Sequence, residues 1–120
     1  MAKGCWIFKQ EGQRLFQEGL YDESLNTFKQ AHEKFIAEGN EIEAAEMVNN
    51  LGVVYRMQGK WDEASAALEE ARAAFVRLGD RSREAQALGN LGGLYASKRE
   101  REKAKECLRQ AADIFAELGD

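Results

Sequence analysis

Proline is absent from these 120 residues, so nothing in the chain forbids long uninterrupted helices. Cysteine is scarce. Cys5 and Cys107 stand near opposite ends and form no Cys-x-x-Cys pair, a usage that reads as reduced and intracellular, with both thiols as small core or interface residues. Histidine occurs once, as His32. One histidine and two distant cysteines make no metal-ligand cluster, and neither cysteine has an obvious base to activate it. No apolar run approaches the length of a membrane span. The opening MAKGCWIF lacks the hydrophobic region and cleavage site of a signal peptide. Positive charge is not in excess: 17 Lys and Arg against 21 Asp and Glu leave a net charge of −4. That balance speaks against nonspecific binding of nucleic acid. The expectation from these absences is a non-enzymatic cytoplasmic protein with no cofactor, no metal, no membrane contact and no nucleic-acid partner.

What is present is helix-forming. Alanine, glutamate, leucine, lysine, arginine and glutamine dominate, and 44% apolar with 32% charged residues suits a folded domain with a real core. The stretch NNLGVVYRMQGKWDEA, Asn49 to Ala64, returns forty residues later as GNLGGLYASKREREKA, Gly89 to Ala104. Shifted by forty, Gly12, Gly52 and Gly92 share a column, as do Ser24, Ala64 and Ala104. Phe35, Phe75 and Phe115 share another, and the units end alike at Gly39-Asn40, Gly79-Asp80 and Gly119-Asp120. Three units, near 1–40, 41–80 and 81–120, account for the whole chain as one domain.

Apolar residues inside a unit recur at three and four: Val48, Leu51, Val54 and Tyr55, then Ala64, Leu68, Ala71, Phe75 and Leu78. Each unit is therefore a helix A, a turn and a helix B. The spacing predicts helices near 3–18, 22–38, 42–58, 62–78, 82–98 and 102–118. Gly79 is placed as the residue that stops a helix, Asp80 as an N-cap, and NEIE at 40–43 as a capping box. The turn QGKWD reads as a glycine stop followed by an aspartate start. A glycine inside a helix costs about 1 kcal/mol against alanine. Three in one column point to helix A approaching helix B too closely for a methyl group.

The pattern resembles the tetratricopeptide repeat, W-x₂-L-G-x₂-Y followed by A-x₃-F. Here it reads Val48, Leu51, Gly52, Tyr55 with Ala64 and Leu68, and Leu88, Leu91, Gly92, Tyr95 with Ala104 and Leu108. The first unit is weaker, at Phe8, Glu11, Gly12, Leu15, Ser24 and Phe28. The period exceeds the usual one of about 34 residues, and the usual proline near the end of helix B is missing. The longer form is similar to the repeats of kinesin light chains, Pins-type polarity adaptors and many bacterial relatives. The resemblance implies an all-α solenoid, a right-handed superhelix of three hairpins whose A helices line a concave side. It implies a scaffold or adaptor that binds a partner peptide or helix there.

By that resemblance the groove residues are Lys9, Gln10 and Gln13, with Trp6 and Phe16, from the first helix. The third helix supplies Asn49, Asn50, Val53, Arg56 and Met57, with Glu46. The fifth supplies Gln86 and Asn90, with Gly89, Gly93 and Ser97. Asn50 and Asn90 share a column preceded by Gln10. An amide there offers donor and acceptor to a peptide backbone, or else braces the neighbouring helix. Chaperone-tail binders of this family clamp a carboxylate with cations on the third A helix. Gln86 and Asn90 stand at those places, which argues against that ligand. Trp6 and Phe16 read as packing of the first helix, or alternatively as a pocket for a partner side chain.

The two ends of the stack differ. Ile7, Glu11, Arg14 and Glu18 replace the apolar columns Met47, Leu51, Val54 and Ala87, Leu91, Leu94, which suits a face meeting water. At the other end Cys107, Ala111, Ile114 and Leu118 form a stripe with nothing left in the chain to cover it. Either the 120 residues are a fragment whose next helix would cover the stripe, or the stripe pairs with its copy, and the alternative function is then a self-associating structural module, a homodimer through that stripe. The segment SKREREK, 97–103, reads as a solvated turn or, alternatively, as a docking site for acidic partners.

Overall fold

The computed structural model describes residues 2–119, with side chains from residue 4 onward. Six helices follow one another: α1 Ala2–Gln17, α2 Tyr21–Ala37, α3 Glu41–Met57, α4 Trp61–Leu78, α5 Arg81–Ser97 and α6 Arg101–Glu117. No other secondary structure occurs among the described residues. Each helix packs on its neighbours in the chain, and α3 also touches α5. The result is an all-α solenoid of helical hairpins, 41 × 30 × 22 Å. Asp120, expected to close the third unit as Asp80 closes the second, lies outside the described residues. No described helix is long and apolar enough to cross a membrane.

All six helices begin one residue earlier than the spacing predicts. Asn40 and Asp80 do cap, their side chains accepting from the backbone N–H of Glu43 at 3.2 Å and of Arg83 at 3.0 Å. The expected aspartate start of α4 is not a cap. Lys60 holds that position without a side-chain bond, and Asp62 lies inside the first turn. There a carboxylate meets the positive end of the helix dipole. Likewise the NEIE box closes only halfway, because the Glu43 carboxylate turns away toward Lys9 and Arg83.

The helix ends show a finer period than forty. A left-handed residue recurs every twenty: Gly19, Gly39, Gly59, Gly79, Arg99 and Gly119, with φ between 63° and 86°. It lets the chain fold the last turn back on itself. At the α3 end, for example, Lys60 N–H reaches Tyr55 C=O at 2.9 Å. Arg99, at φ 63°, is the one described non-glycine residue in this region. Its Cβ pays a steric penalty of about 1–2 kcal/mol that glycine avoids.

The glycine column does what its spacing implies. A Cβ built on Gly52 would stand 2.6 Å from Leu68 Cγ, on Gly12 2.7 Å from the Phe28 ring, and on Gly92 2.7 Å from Leu108. Helix A is thus pressed against the side chain sixteen residues on. Ser24, at the alanine column of the first unit, is fully buried and satisfies its hydroxyl by donating to Gly12 C=O at 2.9 Å. The core is continuous across hairpins. Leu25, Phe28 and Phe35 of α2 pack with Met47 and Val54 of α3, and Ala64 and Leu68 of α4 pack with Leu91 and Leu94 of α5. Burying each such side chain stabilises the fold by roughly 1.5–3 kcal/mol.

Two glycines of similar sequence context should behave oppositely. Gly52→Ala is expected to lower the unfolding free energy by about 1–3 kcal/mol, because overpacking against Leu68 outweighs helix propensity. Gly89 has no atom within 4 Å of an added Cβ, so Gly89→Ala should raise it by about 1 kcal/mol. Arg99→Gly should also stabilise, by about 1 kcal/mol, through relief of the left-handed strain. Urea unfolding curves with unchanged slope would check all three.

Candidate functional site

The face shared by the A helices α1, α3 and α5 divides into a charged half and a half with a hollow. In the charged half, Glu43 sits at the meeting point of three hairpins, 8% exposed. Lys9 Nζ donates to it at 2.8 Å from α1, and Arg83 reaches it at 3.3 Å from α5. Arg83 also binds Glu46 at 3.0 Å and Asp80 at 3.0 Å. A buried carboxylate needs this many partners, since one left alone would lose several kcal/mol of hydration. Burial pushes the Asp80 carboxyl up, but the backbone N–H and guanidinium of Arg83 together hold it below its ordinary value. Burial works against the Arg83 charge, and Asp80, Glu46 and Glu43 more than restore it.

Lys9 is therefore committed inside the protein rather than left for a ligand, and it also lies 4.8 Å over the Trp6 ring. Trp6 in turn meets Phe35 edge-on at 5.3 Å, so this aromatic packs on helix B while remaining 41% exposed. Gln10, Gln13 and Gln86 are exposed, the latter two at the edge of the charged network.

The three asparagines do different things. Asn90 Nδ2 donates to Asn49 Oδ1 at 3.1 Å, and Asn49 is 6% exposed. This pair braces α5 on α3, so the amide ladder expected at Asn50 and Asn90 is not two equal rungs. Asn50 is the other case. Its Nδ2 is buried and has no hydrogen-bond partner. The Asn50 residue lies in the wall of a hollow of about 400 Å³ between α1 and α3, lined also by Gln13, Phe16, Gln17, Phe28, Val53 and Val54. Phe16 packs 5.7 Å from Tyr21 and lines the hollow. Beyond it on α3, the Arg56 guanidinium covers Gly93, where a Cβ would stand 2.9 Å away, and donates to Ser97 at 3.3 Å. Arg56 has no acidic partner among the described ion pairs. Met57 is 53% exposed beside it.

The expected stripe at the far end is corrected by the structure. Ala111 and Ile114 are each 5% exposed, packed on Ala85 and Leu88 of their own hairpin, and Cys107 is half-buried against α4 and α5. Of the four only Leu118 is exposed, at 44%. The residues that lack a cover are one position further round the helix. Leu108 is 50% exposed where Phe28 and Leu68 are at 2% and 0%, and Phe115, though packed against its own hairpin, is only half-buried where Phe35 and Phe75 are at 1%. Burial also pushes the Cys107 thiol up, with Glu69 adding to it. At the opposite end Arg14 pairs with Glu11 and Glu18 on the exposed face of α1, in keeping with a face that meets water.

A family model described as Tetratricopeptide repeat matches residues 12–75 and 42–117. The crystal structure of BtubC (BKLC) from P. vanneervenii superposes with a TM-score of 0.86 at 26% identity, over 96% of this chain and 48% of that one. The chain thus spans about half the length of BtubC. The TPR domain of Arabidopsis FLU superposes with a TM-score of 0.83 at 20% identity, over 98% of this chain and 97% of that domain. No curated protein sequence matches this one.

Asp80 links the cap of α5 to the charged network, and its depressed pKa sets a pH dependence. Its contribution is complete above the unfolded value of about 4 and is lost as pH falls through the folded value. Asp80→Ala should cost about 1 kcal/mol near neutrality. Asp80→Asn, which keeps a capping oxygen, should flatten the acid limb of a plot of stability against pH. Urea titrations across the acid range would read both.

Proposed function

The chain belongs to the tetratricopeptide repeat family, and we propose on that premise that its A-helix face is the groove of a protein-binding scaffold, holding a peptide or helix of a partner protein. Asn50 carries the reading. A buried donor without an acceptor costs about 1–3 kcal/mol, and native structures keep few of them. The side chain that carries this one lines a largely apolar hollow in the A-helix face, so a small turn of the amide brings the donor into it. A partner backbone carbonyl would accept from Asn50 Nδ2 while an adjoining apolar side chain fills the space between Phe16 and Val53. Exposed Gln10, Gln13 and Gln86 would supply further adaptable hydrogen bonds, and Arg56 and Met57 extend the surface along α3. Lys9, Glu43, Asn49 and Asn90 act from beneath, holding the three A helices at a set spacing.

The test is capture of a partner by the wild-type chain, followed by calorimetric titration of that partner against variants. Asn50→Ala is expected to weaken binding roughly fivefold to tenfold, the effect of one hydrogen bond. Val53→Asp, which puts a charge in the hollow, should remove binding. Unchanged affinity in both variants, with folding verified by circular dichroism, would refute the groove.

A further inference from the structure

The uncovered face at the α6 end is built differently from the two equivalent faces inside the stack. Between α5 and α6 lies a hollow of about 380 Å³, lined by Ala96, Arg99, Arg101, Ala104, Lys105 and Leu108. Subtracting forty from Arg99, Arg101 and Lys105 gives Gly59, Trp61 and Ser65. Subtracting eighty gives Gly19, Tyr21 and Leu25. The apolar floor is retained at Leu108. At the rim Ala96 stands where the second unit has Arg56 and the first Phe16, and three cations stand at places that are neutral in both other units. Arg99 and Arg101 have no acidic partner among the described ion pairs, and Lys105 meets only Glu102, at 3.9 Å with both side chains exposed. Arg99 moreover holds a left-handed backbone at the place where the other five helix ends have glycine.

We propose that this face docks an acidic amphipathic helix of a partner protein, laid over Leu108 and Phe115 as α3 lies over Phe28 and Phe35. The internal interfaces indicate where a docked helix ends. Gln58, just past the end of α3, donates to Asp22 in the first turn of α2 at 2.9 Å. A helix in the equivalent place brings a terminal turn to the start of α6; Glu102 keeps the acid of Asp22 there, while Arg99, Arg101 and Lys105 around the hollow favour carboxylates on that turn. Its apolar stripe, at the columns of Leu91 and Leu94, covers Leu108. A second copy of this chain fits less well. Its own α6 face would bring the same cations into the contact, and its α1 face offers ion-paired Glu11, Arg14 and Glu18 instead of an apolar stripe. The surface is separate from the hollow at Asn50.

A labelled synthetic helix of about five turns tests the assignment by fluorescence anisotropy against the full chain. It carries leucines at the columns of Leu91 and Leu94 and glutamates in a terminal turn, and a control has lysines in place of the glutamates. The glutamate peptide should bind at least roughly tenfold tighter, with strong salt dependence, as expected of charges at an interface rim. A triple variant, Arg99→Gly, Arg101→Ser and Lys105→Ser, should lose that preference without losing thermal stability. Leu108→Asp should lose binding, and Asn50→Ala should retain it. Equal binding of the two peptides, binding of neither, or loss in Asn50→Ala would overturn the proposal. So would sedimentation showing a dimer that Leu108→Asp dissolves, since that would make a second copy the occupant.

Discussion

Helix A and helix B of each hairpin meet backbone against side chain, at Gly12 on Phe28, Gly52 on Leu68 and Gly92 on Leu108. The rest of the structure depends on this contact. Because no Cβ intervenes, the helices lie close enough for one large apolar residue to fill the seam, and the same residue is then covered by the next A helix. One column of side chains serves both the hairpin and the stack. Repeat arrays derive their cooperativity from such shared contacts, since a unit cannot bury its apolar face alone.

The polar groups on the A-helix face follow from the spacing that this packing imposes. Glu43 lies where three hairpins converge, and Lys9 and Arg83 approach it from either side. The first and third units contribute cations and the second the carboxylates between them, so the network can form only when all three are in register. The Asn49–Asn90 pair adds a neutral brace beside it. Groups so engaged serve to hold the surface in shape. Those left over, the Asn50 amide and the Arg56 guanidinium, are the ones with capacity to spare for a ligand.

The outer helices α1 and α6 depart from the pattern of the helices between them. At α1 the apolar columns give way to an ion-paired strip. At α6 the apolar floor stays while the rim gains Arg99, Arg101 and Lys105 and has Ala96 in the place of Arg56. A face built simply to meet water would be expected to lose Leu108 as the first helix has lost its leucine. Keeping the leucine, ringing it with cations and accepting a strained arginine in the turn is a different solution, and it is the reason to look for an acidic occupant.

Six helices, three hairpins, the glycine contact and the caps at Asn40 and Asp80 were legible in the residues themselves, because periodicity and helix-end chemistry are local and are repeated three times. Local pattern could not separate the asparagines, since Asn50 and Asn90 occupy one column and differ only in whether Asn49 lies within reach. Nor could it tell that Lys9 is spent on Glu43, thirty-four residues away. The uncovered edge of α6 was misread by one position, from Cys107, Ala111 and Ile114 to Leu108 and Phe115. A helical stripe is wide enough to serve two neighbours, and only the angle at which α6 meets α5 decides which side of it is left bare.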